Sequence, residues 1–142
     1  MTAEADIERI ANGLLACTLP KSEWTHRAHF AAALWLLAHP HVLARRGGMA
    51  PLIRAYNAAT GVENSETSGY HETITRASLR GAAAVLADYP GKPLGEILDA
   101  LMEGPLGDKR WPLAYWSEDL LMGSQARREW VEPDLAPLPW PG

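Results

Sequence analysis

The 142-residue chain lacks several features that would indicate a particular class of protein. Its single cysteine, Cys17, cannot form a disulfide within the chain, and a lone cysteine among apolar neighbours is typical of a small buried hydrophobe. The longest apolar run, Phe30 to Ala38, is about half of the roughly 18 residues that a membrane span needs, so we expect no membrane partner. Residues 1–6 are acidic and lead into an amphipathic pattern, unlike a secretory signal, which favours a cytoplasmic protein.

Positive charge is also sparse. The chain has 13 Lys and Arg residues against 17 Asp and Glu residues, a net charge of −4. Two arginine doublets, Arg45-Arg46 and Arg127-Arg128, are what helix ends favour, because cations complement the helix dipole there. Without an extended basic stripe, nucleic acid is not expected as a partner. The chain also contains no nucleophile elbow, phosphate-binding glycine loop or Cys-x-x-Cys pair.

Hydrophobic periodicity predicts the fold. Apolar residues recur at helical spacing, and no stretch shows the sustained period-two alternation of a half-buried strand. We therefore predict an all-α fold, with residues 1–131 as one compact domain of six or seven helices. The proline-rich residues 132–142 should form an extended tail. The helices are expected at about 3–17, from between 22 and 25 to 39, at 51–60, from between 68 and 70 to 88, and at 93–103, 113–122 and 124–130.

Three of the five histidines lie where helices should begin. His26 and His29 are three residues apart, so on a helix they share a face and could bind one ligand. His71, from a second helix start, would complete a set of three imidazoles, the ligand count of catalytic zinc sites that leave one position open. The histidines therefore predict a divalent metal, with zinc first, although His-x-x-His is common by chance.

Glu72 is the candidate general base beside such a metal. Neighbouring residues on a helix point roughly 100° apart, so His71 and Glu72 cannot easily bind the same ion. Glu72 could instead accept a proton from metal-bound water in a hydrolase or lyase reaction, or simply pair with Arg76 one turn later. Thr75 could hydrogen-bond the His71 ring or bond back to the His71 carbonyl. Trp24 is expected to line the pocket.

Two other interpretations of the same residues stay open. Free amides at two helix starts, joined by Thr25, Tyr70 and His71 as donors, would suit a small anionic ligand in a non-catalytic binding protein. Alternatively, the histidines cap helices and pack in the core of a structural protein. Whether the chain is an enzyme is therefore undecided by its sequence. A homodimer is possible, since it is the commonest assembly of soluble proteins.

The chain resembles a group of short, uncharacterised bacterial proteins over residues 23–135. The matching stretches are Glu23-Trp24-Thr25-His26-x-Ala28-His29, Tyr56-Asn57, Gly69-Tyr70-His71-Glu72-Thr73-x-Thr75, Ala126-Arg127 and Pro133-Asp134-Leu135. The resemblance implies that the two histidine motifs belong together, and it implies no particular reaction. We therefore expect the starts of the second and fourth predicted helices to meet in one small-molecule pocket.

Overall fold

The structure is a computed structural model that describes residues 2–141, and within that range all regular secondary structure is helical, as predicted. Met1 and Gly142, the outermost residues of the predicted domain and tail, lie outside the described range. The α-helices are α1 (Ala3–Leu15), α2 (His26–Ala38), α3 (Pro40–Arg45), α4 (Met49–Ala59), α5 (Glu72–Asp88), α6 (Leu94–Glu103), α7 (Glu118–Leu121) and α8 (Ser124–Arg128). Single 3₁₀ turns form at Lys21–Glu23, Pro105–Gly107 and Trp111–Ala114. Between residues 2 and 141, every helix is too short or too polar to cross a membrane.

Helix α2 lies at the centre of the fold because it is apolar on all sides. It packs against α1, α3, α5 and α6. Its alanines let the backbones of neighbouring helices approach closely, and its larger apolar side chains fill the space between them. Seven of its residues are buried, namely Ala28, Phe30, Ala31, Ala32, Ala33, Leu34 and Leu36.

Apart from shifts of up to four residues at helix ends, the helices differ from the prediction at two places. The predicted break after His39 holds a further short helix, α3, because Pro40 at its first position has no N–H that needs a partner. The predicted helix at 113–122 is split into a 3₁₀ turn and α7. Ser117, with extended backbone, caps α7 by accepting the Leu120 N–H and so interrupts the helix.

Residues 132–141 contain no helix and lie against the helical domain. The Arg80 guanidinium donates to the carbonyl oxygens of Trp140 (2.7 Å) and Pro141 (3.1 Å). The Trp140 ring packs on Gly81 of α5, where an added Cβ would lie 3.2 Å from the indole. The Asp134 carboxylate accepts the Ser117 N–H at 2.7 Å. The tail is therefore held in place by side-chain and backbone contacts along its length.

Candidate functional site

A cavity of about 140 Å³ opens between α2, α4, α5 and the 3₁₀ turn at Trp111–Ala114. His26 and His29, predicted to share one helix face, both line it, and so do the predicted residues Trp24 and Thr75. The rest of the wall is mostly apolar and consists of Phe30, Ala33, Met49, Ile53, Ile74, Leu79, Trp111 and Pro112, with Ser78 and Lys109 as its further polar members.

The start of α2 sets the positions of both histidines. Thr25 has extended backbone, and its hydroxyl accepts the Ala28 N–H, so the helix begins at His26. His29 follows one turn later on the same face. The Thr25 side chain is used as this cap and lines a different cleft, beside α1. Thr25, predicted as a ligand-binding residue, is therefore placed outside the cavity.

The His26 ring is tied to the protein by one nitrogen. Its Nε2 donates to the Leu106 carbonyl oxygen at 2.8 Å. Since a carbonyl oxygen can only accept, Nε2 carries a proton, and Nδ1 makes no hydrogen bond within residues 2–141. The ring also meets Phe30 edge-on, with centroids 5.3 Å apart. His26 is thus fixed in orientation with one nitrogen still available.

The His29 ring has no hydrogen-bond partner in the described part of the chain and packs on Trp24, with ring centroids 4.0 Å apart. Its accessible surface is that of an exposed residue, because it faces the open cavity. The protein atoms packed around the ring, those of Trp24 among them, still reduce the water available to solvate an imidazolium. This burial, with a smaller contribution from the nearby His26, lowers the pKa of His29 to about 4. His29 is therefore neutral at physiological pH.

His71 lies apart from the other two histidines and does not line the cavity. It is the N-cap of α5: its Nδ1 accepts the Ile74 N–H at 3.1 Å, and its Nε2 donates to the Leu121 carbonyl oxygen at 2.7 Å. Burial, and more weakly the positive charge of Arg127, lower its pKa although the Leu121 hydrogen bond opposes them. Both ring nitrogens are thus occupied by the protein itself.

The three predicted metal ligands are therefore not brought together in this structure. Within residues 2–141, no group of three or more His, Cys, Asp or Glu side chains is placed to hold a metal ion. The cavity contains two imidazoles, from His26 and His29, and the third imidazole supports a helix start. Zinc stays a prediction.

Glu72 and Tyr70 line a cleft that adjoins the cavity. The Tyr70 hydroxyl donates to Glu72 Oε1 at 2.6 Å, and burial together with this carboxylate raises the pKa of Tyr70 well above its usual range. The other Glu72 oxygen lies 4.0 Å from the Arg76 guanidinium. Thr75 is one of three residues that line both spaces, with Met49 and Leu79. The predicted general base is thus next to the cavity but not on its wall.

Sequence reasoning did not identify Lys109, Trp111 and Ser78 as site residues. Lys109 and Trp111 lie in the irregular segment after α6, where periodicity gives no orientation for a side chain. Ser78 lies one turn after Ile74 on α5, so the 3.6-residue repeat would have placed it on the cavity face once Ile74 was known to line the cavity.

Stability should fall as the pH is lowered from about 6.5 towards about 4. In that range the unfolded chain binds protons at His29 that the folded chain does not bind, and the pKa of His71 is lowered in the same direction. The free energy of unfolding therefore decreases as the pH falls, and the contribution of these two histidines to it is complete above pH 6.5. Urea titrations at several pH values test this. His29→Gln should flatten the dependence, and a slope equal to that of the wild type would contradict the prediction.

The cavity combines apolar walls, two imidazoles and one ammonium group in a space open to solvent. Its chemistry is the basis for inferring a function. The resemblance carried by the two histidine motifs stays an expectation. Comparison with known protein families, curated protein sequences and solved structures gave no match.

Proposed function

We propose that this chain binds one small organic molecule in the cavity beside His26 and His29. The observation that carries the proposal is that two imidazoles line the same apolar cavity with nitrogen atoms that no described group satisfies. A few convergent polar groups on a mainly hydrophobic concave wall are typical of ligand sites. A core histidine would instead have both nitrogens paired, as His71 does.

The size of the cavity limits the ligand. A dry protein cavity of roughly 150 Å³ accommodates benzene. The present cavity of about 140 Å³ therefore suits a single six-membered ring with one or two small substituents projecting towards the opening. The indoles of Trp24 and Trp111 give the wall flat aromatic surfaces against which a ring can pack.

The imidazoles determine which substituents are favoured. A neutral His29 offers one N–H donor and one acceptor, and His26 offers Nδ1 when its proton lies on Nε2. The hydroxyls of Thr75 and Ser78, across the cavity on α5, can donate or accept. A ligand with hydroxyl, amide or carboxyl groups can pair with these atoms, which would otherwise depend on water.

A thermal-denaturation screen with neutral monocyclic compounds, such as phenol, benzyl alcohol and cyclohexanol, tests the proposal. A compound present at 100 times its Kd should stabilise the protein by about 2.7 kcal/mol, whereas bicyclic homologues should have little effect. His29→Phe should weaken the compounds that stabilise the wild type, because it removes the hydrogen-bonding nitrogens but keeps a ring. The absence of any stabilising monocyclic compound would refute the proposal.

A second candidate is a divalent metal held by His26 and His29. It is favoured by the shared cavity and by the neutral state of His29, since a metal binds the unprotonated imidazole. The remaining ligands would have to be water or a bound molecule. Glu72, outside the cavity and hydrogen-bonded to Tyr70, makes a metal-dependent hydrolase or lyase less well supported than binding alone. Elemental analysis of tag-free protein after incubation with zinc tests this candidate. Less than about a tenth of an equivalent of bound zinc per chain would exclude it.

A further inference from the structure

Among the described residues that line the cavity, Lys109 is the only Lys, Arg, Asp or Glu. The lining residues include no Asp or Glu, and His29 is neutral at physiological pH. Lys109 is exposed and lies in the segment that leads into the 3₁₀ turn at Trp111–Ala114. The electrostatic potential at the opening of the cavity is therefore expected to be positive.

No protein carboxylate neutralises Lys109 in the described structure. All five ion pairs within residues 2–141 use arginines, and Lys109 takes part in none of them. The carboxylate next to it in sequence, Asp108, instead accepts the backbone N–H of Arg110 at 2.9 Å and lines a different cleft. The Lys109 ammonium is thus available to a ligand.

The remaining wall indicates what that ligand's body should be. Apolar side chains from four segments enclose the space, and they favour a hydrocarbon ring over a compact inorganic anion. Such an anion would lose its hydration against the apolar wall and find only one cation. A molecule that keeps its charge at the opening and places its ring inside satisfies both parts of the cavity.

We propose that the ligand is a small cyclic carboxylate, with its ring between the apolar walls and its carboxylate beside Lys109. This proposal rests on the proposed function and specifies its ligand class. The neutral His29 N–H and the hydroxyls of Thr75 and Ser78 are the additional donors available to a carboxylate oxygen. The neutral screening compounds lack this charge, so the two proposals can be tested separately.

Calorimetric titration with benzoate and with benzamide tests the ligand class, because the two compounds have nearly the same shape and differ in charge. At low ionic strength, benzoate should bind the wild-type protein about three- to fivefold more tightly, the range expected for a solvent-accessible ion pair. Lys109→Gln should bring this ratio close to one. The matched control is Lys92→Gln, which removes an exposed lysine from the segment between α5 and α6 and should keep the wild-type ratio.

The outcomes distinguish this proposal from the proposed function. Equal affinities for benzoate and benzamide in the wild type, or an unchanged ratio in Lys109→Gln, would overturn the carboxylate proposal while leaving small-molecule binding intact. The carboxylate proposal alone also fails if neither benzoate nor benzamide binds but the neutral monocyclic compounds of the screen do. If no monocyclic compound of either series binds, both proposals fail. A benzoate preference lost only in Lys109→Gln and weakened by added salt would establish the charge pairing.

Discussion

Replacing His71 with alanine should lower the free energy of unfolding by about 3 kcal/mol, the sum of a lost helix cap and a buried carbonyl left without its donor. The imidazole, 8% exposed, accepts the Ile74 N–H at the start of α5 and donates to the Leu121 carbonyl oxygen 50 residues away. Alanine can do neither, and the space left by the ring adds to the cost. Urea denaturation at pH 7.5 measures the change.

Two further variants separate the contributions. His71→Asn keeps an acceptor suited to the cap but is too short to reach Leu121, so it should recover about 1 kcal/mol of the loss. Thr25→Ala removes the corresponding cap of α2 without a second hydrogen bond and should cost only about 1 kcal/mol. A loss below about 1 kcal/mol in His71→Ala, less than a cap plus a buried hydrogen bond, would show that the ring is not a structural bridge. Loss of bound zinc in that variant would instead favour the three-histidine metal site.

Filling the cavity from inside should abolish ligand binding. Ser78→Phe places a benzene-sized ring in a space that holds about one such ring, so affinity for the monocyclic ligands should fall at least about 30-fold, or about 2 kcal/mol. The folded state should tolerate the change, since the new ring enters existing space. Calorimetric titration of the best compound from the screen, alongside a urea titration, measures both effects.

A control substitution and a smaller cavity-filling substitution can both be made on α5. Ala83→Phe adds the same ring to an exposed position of α5 and should bind ligand like the wild type. If Ser78→Phe overpacks the cavity and lowers stability by the 1–3 kcal/mol typical of such changes, Ser78→Leu provides a smaller filling group and should give an intermediate loss of affinity. Undiminished binding in a folded Ser78→Phe protein would place the ligand elsewhere.

The fold could be predicted from sequence because it depends mainly on local periodicity. The apolar spacing of α1 and α6 and the all-round apolar character of α2 each specify a helix without knowledge of its partners. The short helix α3 and the division of the predicted helix at 113–122 depend instead on local details of the backbone. Pro40 can begin a helix as readily as it ends one, and the Ser117 cap interrupts a segment whose composition reads as continuous.

The candidate site could be predicted only in part. The spacing of His26 and His29 fixes their relative direction, so their shared cavity follows from helical geometry. The role of His71 depends on the Leu121 carbonyl, and no sequence pattern indicates that a group 50 residues away will meet the ring. The same limit applies to Lys109, since its position on the cavity wall depends on the path of an irregular segment.

The second histidine motif has a clear structural role. Gly69 has φ of +81°, and a Cβ there would lie 2.6 Å from both the Glu63 carbonyl oxygen and Asn64 Oδ1, so only glycine fits. The fully buried Thr73 hydroxyl donates to the Glu129 carbonyl oxygen and accepts the Val131 N–H, which joins α5 to the segment after α8. The motif therefore stabilises the start of α5, and α5 carries one wall of the cavity.

The position of Trp24 gives the protein a built-in optical reporter. Two of the six indoles, those of Trp24 and Trp111, line the cavity, and a ring that enters it would change the polarity around both. The contact between the Trp24 and His29 rings, whose centroids lie 4.0 Å apart, also makes the fluorescence of Trp24 sensitive to the charge of the imidazole. Intrinsic fluorescence can thus follow both the arrival of a ligand and the protonation of His29 without any added label.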